Sequence, residues 1–240
     1  MIGVRTARVA VLGTGGAARA VRDGAVALGH HLVEADTADV TVLCGPTAER
    51  IPPGSVVANT GAAPCESTVE LMRYRPDLTW VSHPRELDET SGPEDFLAPR
   101  VLVAGSACAD AADRVLALHP DAIPRVRTDT ATADLLADAR NGFFALRRHH
   151  AALLDELCAA VGADPDDVAA CLGRDPRLAD PRAPVPRGEG ELRRSLERLA
   201  AAAEPGGGAR SLLAGIDGAG RLREDRLQAG HLRHSWEATS

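Results

Sequence analysis

The run Val9-Ala10-Val11-Leu12-Gly13-Thr14-Gly15-Gly16-Ala17-Ala18 constrains the fold more than any other segment of the chain. Its apolar start reads as a buried strand, which glycines end and a helix of small residues follows. Gly13 permits a tight turn. Gly15 lets the backbone approach a phosphate, and the small Ala18 lets helix and strand pack closely. In this setting Gly13-x-Gly15-x-x-Ala18 reads as the phosphate-cradling turn of a dinucleotide site. Gly13, Gly15, Gly16 and Ala18 are the cofactor-binding candidates at the helix N-terminus, and NAD or NADP is the implied cofactor.

Such a site also wants an acidic residue at the end of the second strand, to hold the adenosine ribose. Glu34 and Asp36 are the candidates. Only Asp36-Thr37-Ala38-Asp39 then separates that strand from the next apolar run, which starts at Val40. A parallel crossover takes a dozen or more residues. Either His31–Ala35 is not a regular parallel strand or the crossover helix is gone, and both cut down the adenosine half of the pocket.

Further apolar runs at Val40–Cys44, Ser55–Asn59, Leu78–Val81 and Val101–Ala104 alternate with helical segments, the pattern of a mostly parallel sheet flanked by helices. From Thr132 the period changes. Leu135, Leu136, Ala139, Phe143, Leu146, Leu153, Leu154 and Leu157 recur at helical spacing, predicting one long helix. Gly162-Ala163-Asp164-Pro165 ends it, with Asp164 as the N-cap of a short helix and Pro165 at its first position. A Pro- and Gly-rich loop over 179–190, a helix over about 191–203 and a polar tail follow. The expected architecture is α/β: a Rossmann-like, mostly parallel sheet over 1–128, then a helical dimerisation domain over 129–240 built on one long helix.

Composition narrows the function. A net charge of −7 excludes nucleic acid as the main partner, since a phosphate-binding surface needs clustered positive charge. No apolar run is long enough for a membrane span, and no signal segment opens the chain, so a cytoplasmic protein is expected. Five cysteines without a C-x-x-C pair read as reduced thiols. The chain has no lysine at all. No metal site is expected; His149-His150 project in different directions, and His231-x-x-His234 lies in the tail. Cys65 reads as a packed thiol at a helix start.

Three segments together resemble the UDP-glucose/GDP-mannose dehydrogenases, over roughly residues 5–200. Ser82-His83-Pro84-Arg85-Glu86-Leu87 with Glu94-Asp95-Phe96-Leu97-Ala98-Pro99-Arg100-Val101 is similar to the family's Asn-Pro-Glu-Phe-Leu and Asp-Phe-Leu-x-Pro-x-Arg-Val stretches. Asn141-Gly142-Phe143-Phe144-Ala145 resembles its central-helix motif. Val161–Asp164 through Asp175-Pro176-Arg177-Leu178 resembles its Gly-Ala-Asp…Asp-x-Arg segment. The resemblance implies oxidation of a sugar-nucleotide alcohol to the acid, with hydride transfer to NAD, in a homodimer formed through helix 132–160.

Carried over residue by residue, the family's threonine matches Thr60, its asparagine Asn141 and its second glutamate Glu89. The first glutamate falls on Arg85, with Glu86 one residue away. His83 replaces an asparagine and is a candidate proton shuttle. The family's lysine falls on Ala137 and its nucleophilic cysteine on about Glu191, with no cysteine after Cys171. The family's C-terminal nucleotide-binding domain is expected to be absent. Oxidation to the acid needs a thiolate to hold the aldehyde before the second hydride leaves, and a cation beside the developing alkoxide. The expectation is therefore an NAD(P)-linked oxidoreductase of altered chemistry on a sugar-like substrate, with Glu89, Asn141 and His83 at the reacting centre and Thr60 by the cofactor. The alternative is a catalytically silent dimeric relative that binds, regulates or scaffolds.

Overall fold

The computed structural model describes residues 5–45, 50–61, 67–85, 92–176, 178, 189–208, 210–211 and 213–216. By internal contacts the chain forms two compact units, Met1–Ala137 and Asp138–Ser240.

The first unit is built on a seven-stranded sheet. β1 (Arg8–Leu12) leads into α1 (Gly15–Ala27), β2 (His31–Leu32), β3 (Val40–Leu43) and β4 (Val56–Asn59). α2 (Thr68–Tyr74), β5 (Thr79–Ser82), α3 (Pro93–Leu97), β6 (Leu102–Gly105), α4 (Ala109–Leu116) and β7 (Arg125–Thr128) follow. The strand order is β2-β1-β3-β4-β5-β6-β7. β1 to β5 are mutually parallel, β6 meets β5 antiparallel at Ser82 and Gly105, and β7 runs parallel to β6. The α/β, mostly parallel sheet expected from the alternating runs is the fold observed.

Burial explains the strand sequences. β3 and β6 are buried along their whole length and read as unbroken apolar or small runs, as strands covered on both faces must. The main core joins Val9, Val21, Val40, Val42, Val81, Leu102, Val115 and Leu116 with the alanines of α1. α1 packs on α3 where Gly24 admits the ring of Phe96; a Cβ on Gly24 would stand 2.6 Å from Phe96 Cδ1. β7, Arg-Val-Arg-Thr, carries no apolar run to announce it. It closes the far edge of the sheet with two arginines, and charge of this kind blunts edge pairing.

α5 (Thr130–Val161) runs 32 residues and extends through the boundary between the units. In the first unit its opening turns are tied down by Asp134, which accepts from the Ser82 hydroxyl (2.5 Å) and from the Val69 backbone N–H (3.1 Å). In the second unit α6 (Pro165–Gly173) starts at Asp164, whose Oδ1 accepts from the N–H groups of Asp166 and Asp167, with Pro165 in the first turn. α7 (Glu189–Ala202) packs on α5 through Ala145, Leu192 and Leu196, with Ile216 completing the cluster. Arg198 of α7 pairs with Asp138 of α5 at 2.5 Å.

A second face of α5 has no cover among the described residues. Leu136, Ala139, Phe143, Leu146, His150, Leu153, Leu157 and Ala160 are all exposed and alternate at spacings of three and four. The large apolar members among them are 39–59% exposed.

Candidate functional site

The glycine turn between β1 and α1 is set by backbone geometry. Gly13 has φ +126° and Gly15 φ +83°, both in the region that favours glycine. A Cβ on Gly13 would lie 2.7 Å from both C and O of Cys44, so the turn packs directly on the end of β3. Gly16, Ala17 and Ala18 are buried against the sheet. Thr14 caps α1 in extended conformation without a side-chain bond, and no acidic residue stands in the first turn. A helix N-terminus of this length with no acidic residue in its own first turn is suited to a phosphate. The phosphate half of a dinucleotide therefore fits this turn.

On the flank beside this turn, β2 is too short to bring a ribose carboxylate level with the glycines. β2 is parallel to β1, which answers the question left by the sequence: the strand exists and the crossover helix is gone. It pairs only Arg8↔His31 and Val9↔Leu32. It ends opposite Val9, three residues, or about 10 Å, short of the end of β1 at Leu12. Glu34 and Asp36 are exposed in a turn closed by Thr37 N–H to Glu34 O (3.2 Å). From there the chain heads away from the glycines. Asp39 N–H reaches Arg8 O (2.8 Å) and its carboxylate pairs with Arg8 at 2.7 Å, both at the opposite end of β1.

Open parallel sheets hold ligands at the carboxyl ends of their strands, and here that edge is lined by polar side chains. The Thr60 hydroxyl donates to Leu43 O (2.9 Å). Asn59 donates from Nδ2 to the Thr68 hydroxyl (3.1 Å), and its Oδ1 accepts from Gly61 N–H (3.2 Å). Asn59, Thr60, Ser82 and His83 are all at or below 2% exposure. Beside Thr60, burial pushes the Cys44 thiol up to about 11, so it is protonated and a weak nucleophile at neutral pH.

His83 follows β5 and lies along β6. Its Nδ1–H donates to Val103 O at 2.6 Å, so the lone pair of the neutral ring is on Nε2, which is buried without a hydrogen-bond partner. Burial, with Arg85 nearby, pushes the imidazole down to about 3. As placed, the ring can take up a proton only at Nε2 and carries none at neutral pH. Arg85, where the resemblance would have put a glutamate, serves the core instead. It donates to Asp95 O and Phe96 O (3.0 Å each), meets His119 Nε2 at 3.1 Å and lies 5.1 Å over the Phe96 ring.

Asn141 belongs to the second unit. It is buried on α5 and donates from Nδ2 to the Ser195 hydroxyl of α7 (3.0 Å). Glu89, Glu86 and Cys65 lie outside the described residues. Of the cofactor candidates, the structure brings Gly13, Gly15, Gly16, Ala18 and Thr60 to one edge of the sheet; Glu34 and Asp36 stand elsewhere. Sequence reading missed Asp134, which carries no motif, and Arg22, which donates from Nη2 to Val11 O (3.0 Å) and Gly13 O (2.9 Å) and stands in a helix that also carries Arg19. Among the described residues no three or more His, Cys, Asp or Glu side chains gather as metal ligands, and no helix is long and apolar enough to cross a membrane.

A strand-turn-helix with this glycine geometry, heading a parallel sheet, defines a Rossmann-like fold of the dinucleotide-binding class. No family model matches the sequence. The UDP-glucose 6-dehydrogenase of Rhizobium meliloti (strain 1021) is 33% identical over an alignment of 108 residues that covers 42% of this chain and 25% of that enzyme. A UDP-glucose dehydrogenase from the hyperthermophilic archaeon Pyrobaculum islandicum superposes with a TM-score of 0.72 at 18% identity, over 94% of this chain and 72% of that one. Psf3, solved in complex with NADP+ and 2-OPP, superposes with a TM-score of 0.59 at 13% identity, over 90% and 94% of the two chains. The resemblance to the UDP-glucose/GDP-mannose dehydrogenases therefore holds in sequence over part of the chain and in fold over nearly all of it.

Proposed function

We propose that the chain is an altered, NAD(P)-linked relative of the sugar-nucleotide dehydrogenases, acting in the cytosol on a sugar-like ligand without the thiol-dependent oxidation to an acid. The observation that carries the cofactor half is the turn between β1 and α1, with Gly13 and Gly15 at positive φ and Gly13 packed on the Cys44 backbone. Gly13, Gly15 and Gly16 would hold the phosphates, Ala18 would keep α1 close against β1 for them, and Thr60 stands at the carboxyl edge nearby; the group itself would supply hydride transfer. Glu89 is the proposed acid-base residue, and His83 and Asn141 are the other proposed catalytic residues.

What limits the chemistry is residue type. With no lysine in the chain and Glu191 where the thiol would stand, nothing carries the two steps to a carboxylate. At most one hydride transfer remains. The inward hydrogen bonds of Asn59, Thr60, Ser82 and Asn141 favour the second reading, a catalytically silent binding protein.

Calorimetric titration with NADH and NADPH at up to millimolar concentration tests the proposal. Binding of either is expected, and heat from neither sinks it. With NAD or NADP and UDP-glucose, no acid product is expected; turnover to UDP-glucuronate would refute the altered chemistry. Glu89→Gln separates the two readings, since an enzyme loses its single-hydride turnover with cofactor affinity kept, whereas a silent binder shows no turnover to lose.

A further inference from the structure

Three histidines are buried in the first unit: His30 after α1, His83 after β5 and His119 after α4. Each has its proton placed by a partner that can play only one role. A carbonyl only accepts, so His30 carries its proton on Nε2, which donates to Leu118 O (2.9 Å), while its Nδ1 accepts from Ala7 N–H (3.2 Å). His83 carries its proton on Nδ1, toward Val103 O. A guanidinium only donates, so His119 accepts from Arg85 at Nε2 (3.1 Å) and carries its own proton on Nδ1. His30 therefore has both nitrogens engaged. His83 has a lone pair left over at Nε2, and His119 an N–H left over at Nδ1. Both atoms are buried, and neither has a hydrogen-bond partner among the described residues.

We propose that His83 and His119 form a binding site for one internal water, which accepts from His119 Nδ1–H and donates to His83 Nε2. The inference rests on the placement of the rings and not on the cofactor reading. The two unspent atoms are complementary, one donor and one acceptor, and leaving both unpaired in a core is costly. Their rings are tilted by 40° with centroids 5.7 Å apart. A direct N–H···N bond of about 3 Å would hold the centroids within about 5.3 Å, since each nitrogen stands about 1.15 Å from its ring centre. The rings lie just beyond that reach. A bent bridge through one oxygen sets the nitrogens about 4.5 Å apart and spans it. A cation does not fit, because His119 Nδ1 carries a proton and offers no lone pair. Burial and the Arg85 charge keep both rings neutral, which preserves this match of donor and acceptor. With the water in place, one directed chain runs from Arg85 through His119, the water and His83 to Val103 O, and ties the end of β5 to the segment after α4.

A crystal structure of the full chain, at a resolution that shows ordered water, tests the site. An oxygen within about 3.2 Å of both His119 Nδ1 and His83 Nε2 is expected. An empty position, a metal ion there, or rings drawn together into a direct bond overturns the inference. In solution, long-range proton–nitrogen NMR reads the tautomers at neutral pH. Both rings are expected to carry their single proton on Nδ1, and a proton on Nε2 of either overturns the assignment of donor and acceptor. His119→Phe keeps a ring against Phe96, which lies 4.6 Å from the imidazole, and removes the donor. The water is expected to be lost from its structure; a water that persists on His83 Nε2 belongs to other groups and overturns the bridge. The two wild-type measurements decide the matter even where that variant does not fold.

Discussion

At the scale of single residues, two positions are held by geometry strict enough to give firm expectations. Gly13 combines φ +126° with a Cβ position 2.7 Å from the Cys44 backbone, and backbone atoms cannot swing aside as a flexible side chain can. Gly13→Ala is expected to cost about 2–4 kcal/mol in urea denaturation at equilibrium, through strain and the separation of β1 from β3. The second position is His83. Its folded-state pKa of about 3 lies well below the unfolded value near 6.5, so the unfolded chain binds the proton first as pH falls. Stability from the neutral ring is fully present above pH 6.5 and is lost progressively from there down to about pH 3, at roughly 1.4 kcal/mol per pH unit. His119, also pushed down by burial and by Arg85, adds in the same direction. Denaturation midpoints measured from pH 7.5 to 4.5 should fall accordingly, and His83→Asn should flatten the slope by about one proton. A wild-type profile flat over that range would contradict the buried neutral imidazoles.

At the scale of elements, α5 is positioned by one carboxylate. Asp134 joins the end of β5, through Ser82, to the start of α2, through the Val69 N–H, and so fixes where the long helix leaves the sheet. Asp134→Ala would leave a buried hydroxyl and a backbone donor without this acceptor. A loss of about 2–4 kcal/mol is expected by denaturant unfolding, whereas Asp134→Asn, which keeps one acceptor oxygen, should cost less. Neither this link nor Arg22 was legible in the sequence, because each is a long-range side-chain contact with no local pattern. β1, β3, β4, β5 and β6 were legible because burial on both faces writes them as apolar runs. β7 was not, since Arg125 and Arg127 at an exposed edge erase that signal. Spacing alone foretold the shortened crossover after β2. Of the site, the glycine turn could be read from residue types. That Thr60 bonds to Leu43 O, and Asn141 to Ser195, could not, because a hydroxyl or amide facing inward has the same sequence as one facing a ligand.

At the scale of the whole molecule, the exposed face of α5 asks for a partner. Leu136, Ala139, Phe143, Leu146, His150, Leu153, Leu157 and Ala160 follow the three-four alternation of a coiled-coil seam over more than three heptads. Exposing this many large aliphatic and aromatic groups in one stripe is costly for a monomer, and a second copy offers the same stripe by two-fold symmetry. The resemblance that introduced the family also puts a dimer on this helix. The proposed dimer has a mass of about 50 kDa, twice the 25.0 kDa of the chain. Light scattering coupled to gel filtration should return that mass at micromolar concentration. Phe143→Glu with Leu153→Glu places two carboxylates in the seam of each copy, four in the dimer, where desolvation and like charge both oppose association. The variant should elute near 25 kDa with the circular-dichroism spectrum of a folded chain. Both side chains are exposed within one chain, so the loss would be of association and not of the fold. A wild-type mass of 25 kDa would refute the dimer, and a double variant that still dimerises would place the interface elsewhere.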